Sequence, residues 1–326
     1  MRPSKSVARS RTVMARPGLA AGSGLFLPLA IMVIAGSGVA HGLPTPPAGP
    51  VRAFVTIAPQ AFFVERIGGD RVQVEVLVGP GQCAETFEAT PKQLARMAGA
   101  RLYFSVGMPM EETLVPRLLG NFPGLVVVDT QEGIARRNLD GDWVPGAADA
   151  DDHAAGEHTH SHTGADPHSW LDPALAKVIA QNIARGLVRV DPADSAIFRA
   201  NLRSLEADLD RVDAEVRALL APAKGREMLV YHPYYGYFAR AYGLRQAAIE
   251  VGGFRPGSKS LAGIIDRARE NDIHAIFVQE GVALSAAQTV ASEIGGRVIV
   301  LDPLSRDYLV NLREMARRVR AGLMGE

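Results

Sequence analysis

Histidine is unevenly placed along the 326 residues, and its distribution is the first chemical signal. Residues 138–176 contain no Lys or Arg, yet they hold eight acids and five of the eight histidines: His153, His158, His160, His162 and His168. Neutral imidazoles one or two residues apart are borderline ligands that suit Zn²⁺. The plain alternative is a solvated polar stretch with chance histidines. Residues 147–165 have too little apolar content to bury themselves and read as a loop. Four further donors stand beside turn residues: Glu85 in GPGQCAETFEATP (79–91), His168 in DPHSWLDP (166–173), His232 in HPYYGYF (232–238) and Asp302 in DPL (302–304). Taken singly, each has an ordinary explanation as a surface carboxylate, a turn histidine or a helix cap. Together they offer two imidazoles and two carboxylates, a donor set for a divalent transition metal. Cys83 lies two residues before Glu85, and a thiolate there could replace or supplement the carboxylate. His41 and His274 read as structural, and Trp170 and Tyr231 as walls that orient the imidazoles.

These donors need elements to carry them. VRAFVTIAP (51–59) is β-rich, and RVQVEVLVGP (71–80) alternates with Val72, Val74, Val76 and Val78 on one face. Thr90-Pro91 opens a helix to about Ala98, and apolar runs at 102–106 and 125–129 complete an α/β pattern. Asp191-Pro192 then opens a long helical stretch. Its stripe is Phe198, Leu202, Leu205, Leu209, Val212, Val216 and Leu219, with no Gly or Pro between Ala193 and Ala221. At 1.5 Å per residue this is a rod of about 42 Å. Such a rod is either a connector between lobes or a surface helix lying on one core. The second half repeats the α/β grammar: strands at 228–231, 274–278 and 298–301, helices at 260–271, 285–294 and 306–323. The fold class is α/β, with an N-terminal lobe at 48–190, a helical connection at 191–221 and a C-terminal lobe at 222–326. Three of the four donor turns follow a strand, where open α/β sheets bind ligands, so the four donors are expected to converge in a cleft between the lobes.

The charge balance bounds the function. With 35 basic and 35 acidic residues the chain lacks the basic excess of a nucleic-acid binder, and 6% aromatics offer no stacking platform. One Cys excludes an intrachain disulfide framework and a multi-Cys zinc finger. The zero net charge averages two unlike pieces. Residues 1–40 carry five bases and no acid, with an uncharged run at 25–36 (LFLPLAIMVIAG) and small residues at Gly38 and Ala40. This reads as a secretory signal peptide, its apolar run being too short for a membrane span of roughly 20 residues. No Cys follows that run, so no lipoprotein anchor is expected. Cleavage after Ala40 would leave 30 bases against 35 acids in a periplasmic protein.

AETFEATP (84–91), DPHSWLDP (166–173), HPYYGYFARAYGL (232–244) and DPL (302–304) resemble the motifs of the substrate-binding proteins of zinc/manganese ABC transporters. In that family the corresponding patterns are PHTYEPTP, DPHxWLDP, HxAFGYFAxxYGL and DPL, and a His/Asp-rich loop before DPH marks the zinc branch. The resemblance implies two α/β lobes joined by a single long rigid helix, with the metal cleft between them. It also implies delivery of the ion to an ABC permease in the membrane, and His168, His232 and Asp302 as ligands. One departure stands out: the family's first His falls on Glu85. More oxygen and less nitrogen shifts preference toward Mn²⁺ or Fe²⁺, while the His tract argues for Zn²⁺, which stays first. A monomer is expected. The competing reading, a metal-dependent hydrolase, needs an open coordination position and a base, and neither HExxH nor GxSxG occurs. A His-based site is expected to release metal below about pH 6, near the unperturbed imidazole pKa.

Overall fold

The computed structural model describes residues 49–79, 81–138, 165–250, 258–279 and 284–326. The segment expected to be a signal peptide (1–40), His41 and the histidines at 153, 158, 160 and 162 lie outside them. Strands β1 (Val51–Val55), β2 (Val72–Val76), β3 (Leu102–Ser105) and β4 (Val126–Asp129) form one sheet in the order β2-β1-β3-β4. Strands β5 (Glu227–Val230), β6 (Arg245–Ala248), β7 (Ala275–Gln279) and β8 (Arg297–Leu301) form a second in the order β6-β5-β7-β8. Every pairing is parallel. Parallel strands covered on both faces read as continuous apolar runs, as the central LYFS and AIFVQ do. The edge strand β2 instead alternates, keeping Gln73 toward solvent. The two sheets share one strand order although the halves show no sequence repeat.

The first lobe carries α1 (Ala58–Gly68), α2 (Pro91–Arg96), α3 (Glu111–Asn121) and α4 (Pro173–Val190). Thr90 caps α2 as expected, its side chain accepting from the Gln93 N–H. Neither α1 nor α4 figures in the sequence expectation. The run AFFV in α1 is as compatible with a strand as with a helix. What decides it is Gln60, whose Oε1 accepts from the N–H groups of Thr56 at 3.0 Å and Ile57 at 3.2 Å, closing the helix start. In α4, Asp172 caps the Ala174 N–H at 2.8 Å and Pro173 takes the first turn, with Ile179, Ile183, Leu187 and Val190 buried along one face. A Cβ on Gly186 would meet the side chains of Phe104 and Val128 at 2.9 Å, so glycine there lets α4 press onto the first sheet.

The long helix α5 runs Ser195–Leu220. Phe198, Leu205, Leu209, Val212, Val216 and Leu220 are fully buried along it, while Leu202 and Leu219 lie at the edge of the stripe. It packs against α1 and α4 of the first lobe and against α9 (Tyr308–Met324) of the second. The long helix therefore joins the lobes and also forms part of one core that runs through both. A smaller core, with Leu229, Tyr231, Ile276 and Val290, fills the other side of the second sheet. The second lobe is completed by α6 (Gly236–Ala241), α7 (Ser258–Glu270) and α8 (Leu284–Glu293). No helix among the described residues is long and apolar enough to cross a membrane.

Candidate metal centre

The sheets place the donors. Glu85 lies in the loop from β2 to α2, flanked by buried Ala84 and Phe87, which pin the loop to the first lobe. His168 lies just before α4, where Asp166 folds the chain into a tight turn: its Oδ1 accepts from the His168 backbone N–H at 2.9 Å. His232 follows β5 directly, at the carboxyl edge of the second sheet.

The three donors meet. One ligand atom from each of Glu85, His168 and His232 lies within 4.8 Å of the other two. Glu85 Oε1 is 2.8 Å from His232 Nε2 and 3.7 Å from His168 Nε2. The far nitrogen of each ring is held by a carboxylate: His168 Nδ1 is 2.8 Å from Asp166 Oδ1, and His232 Nδ1 is 2.9 Å from Glu250 Oε2. A carboxylate accepts only, so each Nδ1 donates and each Nε2 is turned toward the other donors. His168 Nε2 is buried with no hydrogen-bond partner. A buried lone pair in that condition is costly unless something binds it.

Aromatic walls fix the rings. Tyr234 lies against both imidazoles, 4.3 Å from His168 and 4.5 Å from His232 between centroids. Trp170 packs on His168 at 5.2 Å and donates its indole N–H to the Pro303 carbonyl at 2.9 Å. Burial pushes the Tyr234 phenol far above its ordinary value, and the Glu85 charge adds to this, so it lines the site as a neutral group. Burial disfavours the charged form of Glu85, but the hydrogen bond and charge of His232, with His168 behind it, hold its carboxyl below the usual value. For His232, burial opposes the imidazolium, and Glu85 and Glu250 outweigh it, raising the pKa. The proton shared by His232 Nε2 and Glu85 thus sits between two of the donors, and a cation entering there has to displace it.

Among the described residues, the donors that meet within 4.8 Å of one another are these three. Asp302 stays outside the group of three: its Oδ1 accepts from the Leu304 N–H at 2.9 Å, holding the DPL turn, and its backbone carbonyl accepts from Asn311 at 2.6 Å. Asp302 lines a cavity of about 770 Å³ that is also lined by Ile57, Val78, Gln82, Gln279 and Leu304 from both lobes. The Trp170–Pro303 hydrogen bond ties this turn to the His168 turn. Cys83 is a half-buried free thiol and is not one of the three. The tract at His153, His158, His160 and His162 lies outside the described residues. Trp170 forms the wall expected of it, whereas Tyr231 is buried in the smaller core. His274 is exposed and pairs with Asp272 at 2.8 Å. Glu250 escaped sequence reading altogether. The strand that delivers it, RQAA, has no β-branched or aromatic residue, and only its position after a strand could have flagged the acid.

Residues 54–322 match the family model described as "Zinc-uptake complex component A periplasmic". A high-affinity zinc uptake system protein, ZnuA of Bacillus subtilis, is 30% identical over 256 residues, which is 76% of this chain and 77% of that protein. The crystal structure of a zinc-bound ZnuA deletion mutant superposes with a TM-score of 0.74 at 33% identity, covering 84% of this chain and 98% of the other. The periplasmic zinc-binding protein TroA of Treponema pallidum shares the fold, with a TM-score of 0.70 at 19% identity over 84% of this chain and 99% of its own. With two parallel α/β lobes, a cluster of Glu85, His168 and His232 drawn from both of them, and a family match over residues 54–322, the chain belongs to the family of periplasmic metal-binding components of zinc-uptake ABC transporters.

Proposed function

We propose that this protein captures Zn²⁺ in the periplasm and hands it to the membrane permease of an ABC importer. Glu85, His168 and His232 are the donors, with Asp302 as the fourth. The observation that carries this reading is the buried, unpartnered Nε2 of His168, 3.7 Å from the Glu85 carboxylate. Two imidazoles oriented by carboxylates, with a third donor alongside, suit Zn²⁺. The zinc-uptake relatives support zinc as the cargo. Glu85, standing where the family carries an imidazole, favours Mn²⁺ or Fe²⁺ as the second reading, although raw affinity ranks Zn²⁺ above both. A shell filled by four protein donors leaves no coordination position for a reactive water, so we read the site as a carrier and not a catalyst. We further propose that residues 1–40 are a cleaved signal peptide and that the mature chain is a monomer without nucleic-acid partners. Its parts are lobes at 48–190 and 222–326 with the connection at 191–221. His153, His158, His160 and His162 form a weaker auxiliary store, and Cys83 is an auxiliary thiol at the cleft.

The test is zinc titration against a chromophoric chelator. His232→Ala is expected to lose roughly 100-fold or more in affinity, beyond the cost of an outer partner. Deletion of residues 150–164 is expected to leave the tight site within about threefold, since the described chain on either side of the tract is held together by the Asn138–Ala165 bridge. Loss of the tight ion on loop deletion would sink the assignment.

A further inference from the structure

Arg137 immediately precedes the Asn138–Ala165 bridge, and its side chain goes into the protein rather than into solvent. It is 7% exposed. Its Nη1 lies 3.7 Å from Asp166 Oδ2, a carboxylate oxygen with no exposed surface. Neither of these two atoms has a hydrogen-bond partner. The guanidinium lies over the Tyr237 ring, 5.7 Å from its centroid. The backbones lock the same group: the Asp166 N–H donates to the Arg137 carbonyl at 2.7 Å, the Arg137 N–H donates to Tyr237 Oη at 3.2 Å, and Tyr237 Oη donates to the Asp166 carbonyl at 3.3 Å.

Gly236 explains why the arginine fits. A Cβ on Gly236 would lie 1.5 Å from Arg137 Nη1. Gly236 is the first residue of α6 and needs no positive φ, so its lack of a side chain serves the arginine and not the backbone. The guanidinium therefore fills a notch in the turn that carries His232, while it faces the carboxylate that holds His168.

We propose that Arg137 is a positioning residue for the metal site, acting through Asp166 to hold His168 in the tautomer and orientation that aim its Nε2 at the cation, with Gly236 as the notch that admits it. A buried carboxylate with one oxygen on an imidazole and no countercharge is costly and is free to rotate toward other donors. A fixed cation behind its second oxygen sets the carboxylate plane and thereby the ring. Arg137 touches no cation itself. The inference rests on the metal-centre reading above, because it assigns Arg137 its role through His168.

The test is a double-mutant cycle on the full mature chain, with Zn²⁺ affinity read by chelator competition and the visible absorption of bound Co²⁺ reporting donor geometry. Arg137→Met and Asp166→Asn are each expected to weaken zinc about 10- to 100-fold, the usual cost of losing an outer partner of a ligand. In the Asp166→Asn background, Arg137→Met is expected to add no more than about twofold, because its route to the metal is already cut. Gly236→Ala changes no charge and suits a helix, yet it displaces the guanidinium and is expected to weaken zinc at least tenfold and shift the Co²⁺ spectrum. If Arg137→Met leaves the buried acid too costly to fold, Gly236→Ala and the charge-free double variant still decide the matter. Wild-type affinity and spectra in folded Arg137→Met and Gly236→Ala would overturn the relay. An Arg137→Met penalty undiminished by Asp166→Asn would overturn it too. A wild-type chain that binds neither ion would overturn the metal reading itself, and the relay with it.

Discussion

His232 is pulled in two directions, and the outcome sets the pH behaviour of the site. Burial disfavours its charged form, while Glu85 at 2.8 Å and Glu250 at 2.9 Å favour it and prevail. Burial works against the Glu85 carboxylate, but His232, with His168 behind it, holds it below its ordinary 4.5. The signs follow from linkage. The raised His232 pKa stabilises the metal-free fold fully below 6.5, and that stability is lost as pH rises through the raised value. The lowered Glu85 pKa stabilises it above 4.5, and that stability is lost as pH falls through the lowered value. The ion pair is thus at full strength between these two ordinary values, which is where zinc must compete with a proton. Zinc affinity is expected to fall by up to about tenfold per pH unit once pH drops through the raised His232 value, beginning above the pH of about 6 expected of an unperturbed imidazole. Chelator competition from pH 8 to 5.5 checks this, and an affinity flat between 7.5 and 6 would contradict it. Glu85 also sets metal choice. Glu85→His removes a hard anionic donor and adds a borderline one, so the ratio of zinc to manganese affinity should rise about tenfold or more in direct competition. An unchanged ratio would remove Glu85 from the explanation of selectivity.

At the scale of elements, α5 was legible because 26 uninterrupted residues carry one apolar stripe, and no strand reading fits that period. Its partners were not legible, since period reports that a face is buried and not what buries it. The structure packs it against α1, α4 and α9. Leu209, fully buried in the middle of that packing, is the residue to test. Leu209→Ala should cost about 2–5 kcal/mol in denaturant unfolding, with zinc affinity of the folded protein unchanged. A loss under 1 kcal/mol would mean that the helix is not integral to the core. The helix α1 was missed because AFFV suits both periods until Gln60 folds back onto Thr56 and Ile57. Strand β6 was missed because RQAA has no local strand preference and is paired only through β5.

At the scale of the molecule, the two lobes share a single apolar core along α5, from Val51 and Phe104 in the first to Phe277 and Val319 in the second. A main core continuous through both lobes couples their unfolding. Tryptophan fluorescence and far-UV circular dichroism should therefore give coincident denaturant transitions, and a separate melt of the second lobe would contradict the shared core. The relation of the lobes also bears on the cargo. Glu85 and His168 come from the first lobe and His232 from the second, so the site exists only while the lobes are joined.

Residue type and spacing by themselves determined the chemistry on offer and the α/β alternation. Donor types are local properties, and strand and helix periods are read within ten or twenty residues. The tertiary structure alone decided which donors meet. It joined Glu85 to His232 across 147 positions, supplied Glu250 and Asp166 as the holders of the imidazoles, and kept Asp302 on the cavity wall. Those outcomes depend on how two lobes of identical strand order are joined through one long helix and the helices it packs against, and no local pattern encodes a distance between residues so far apart in the chain.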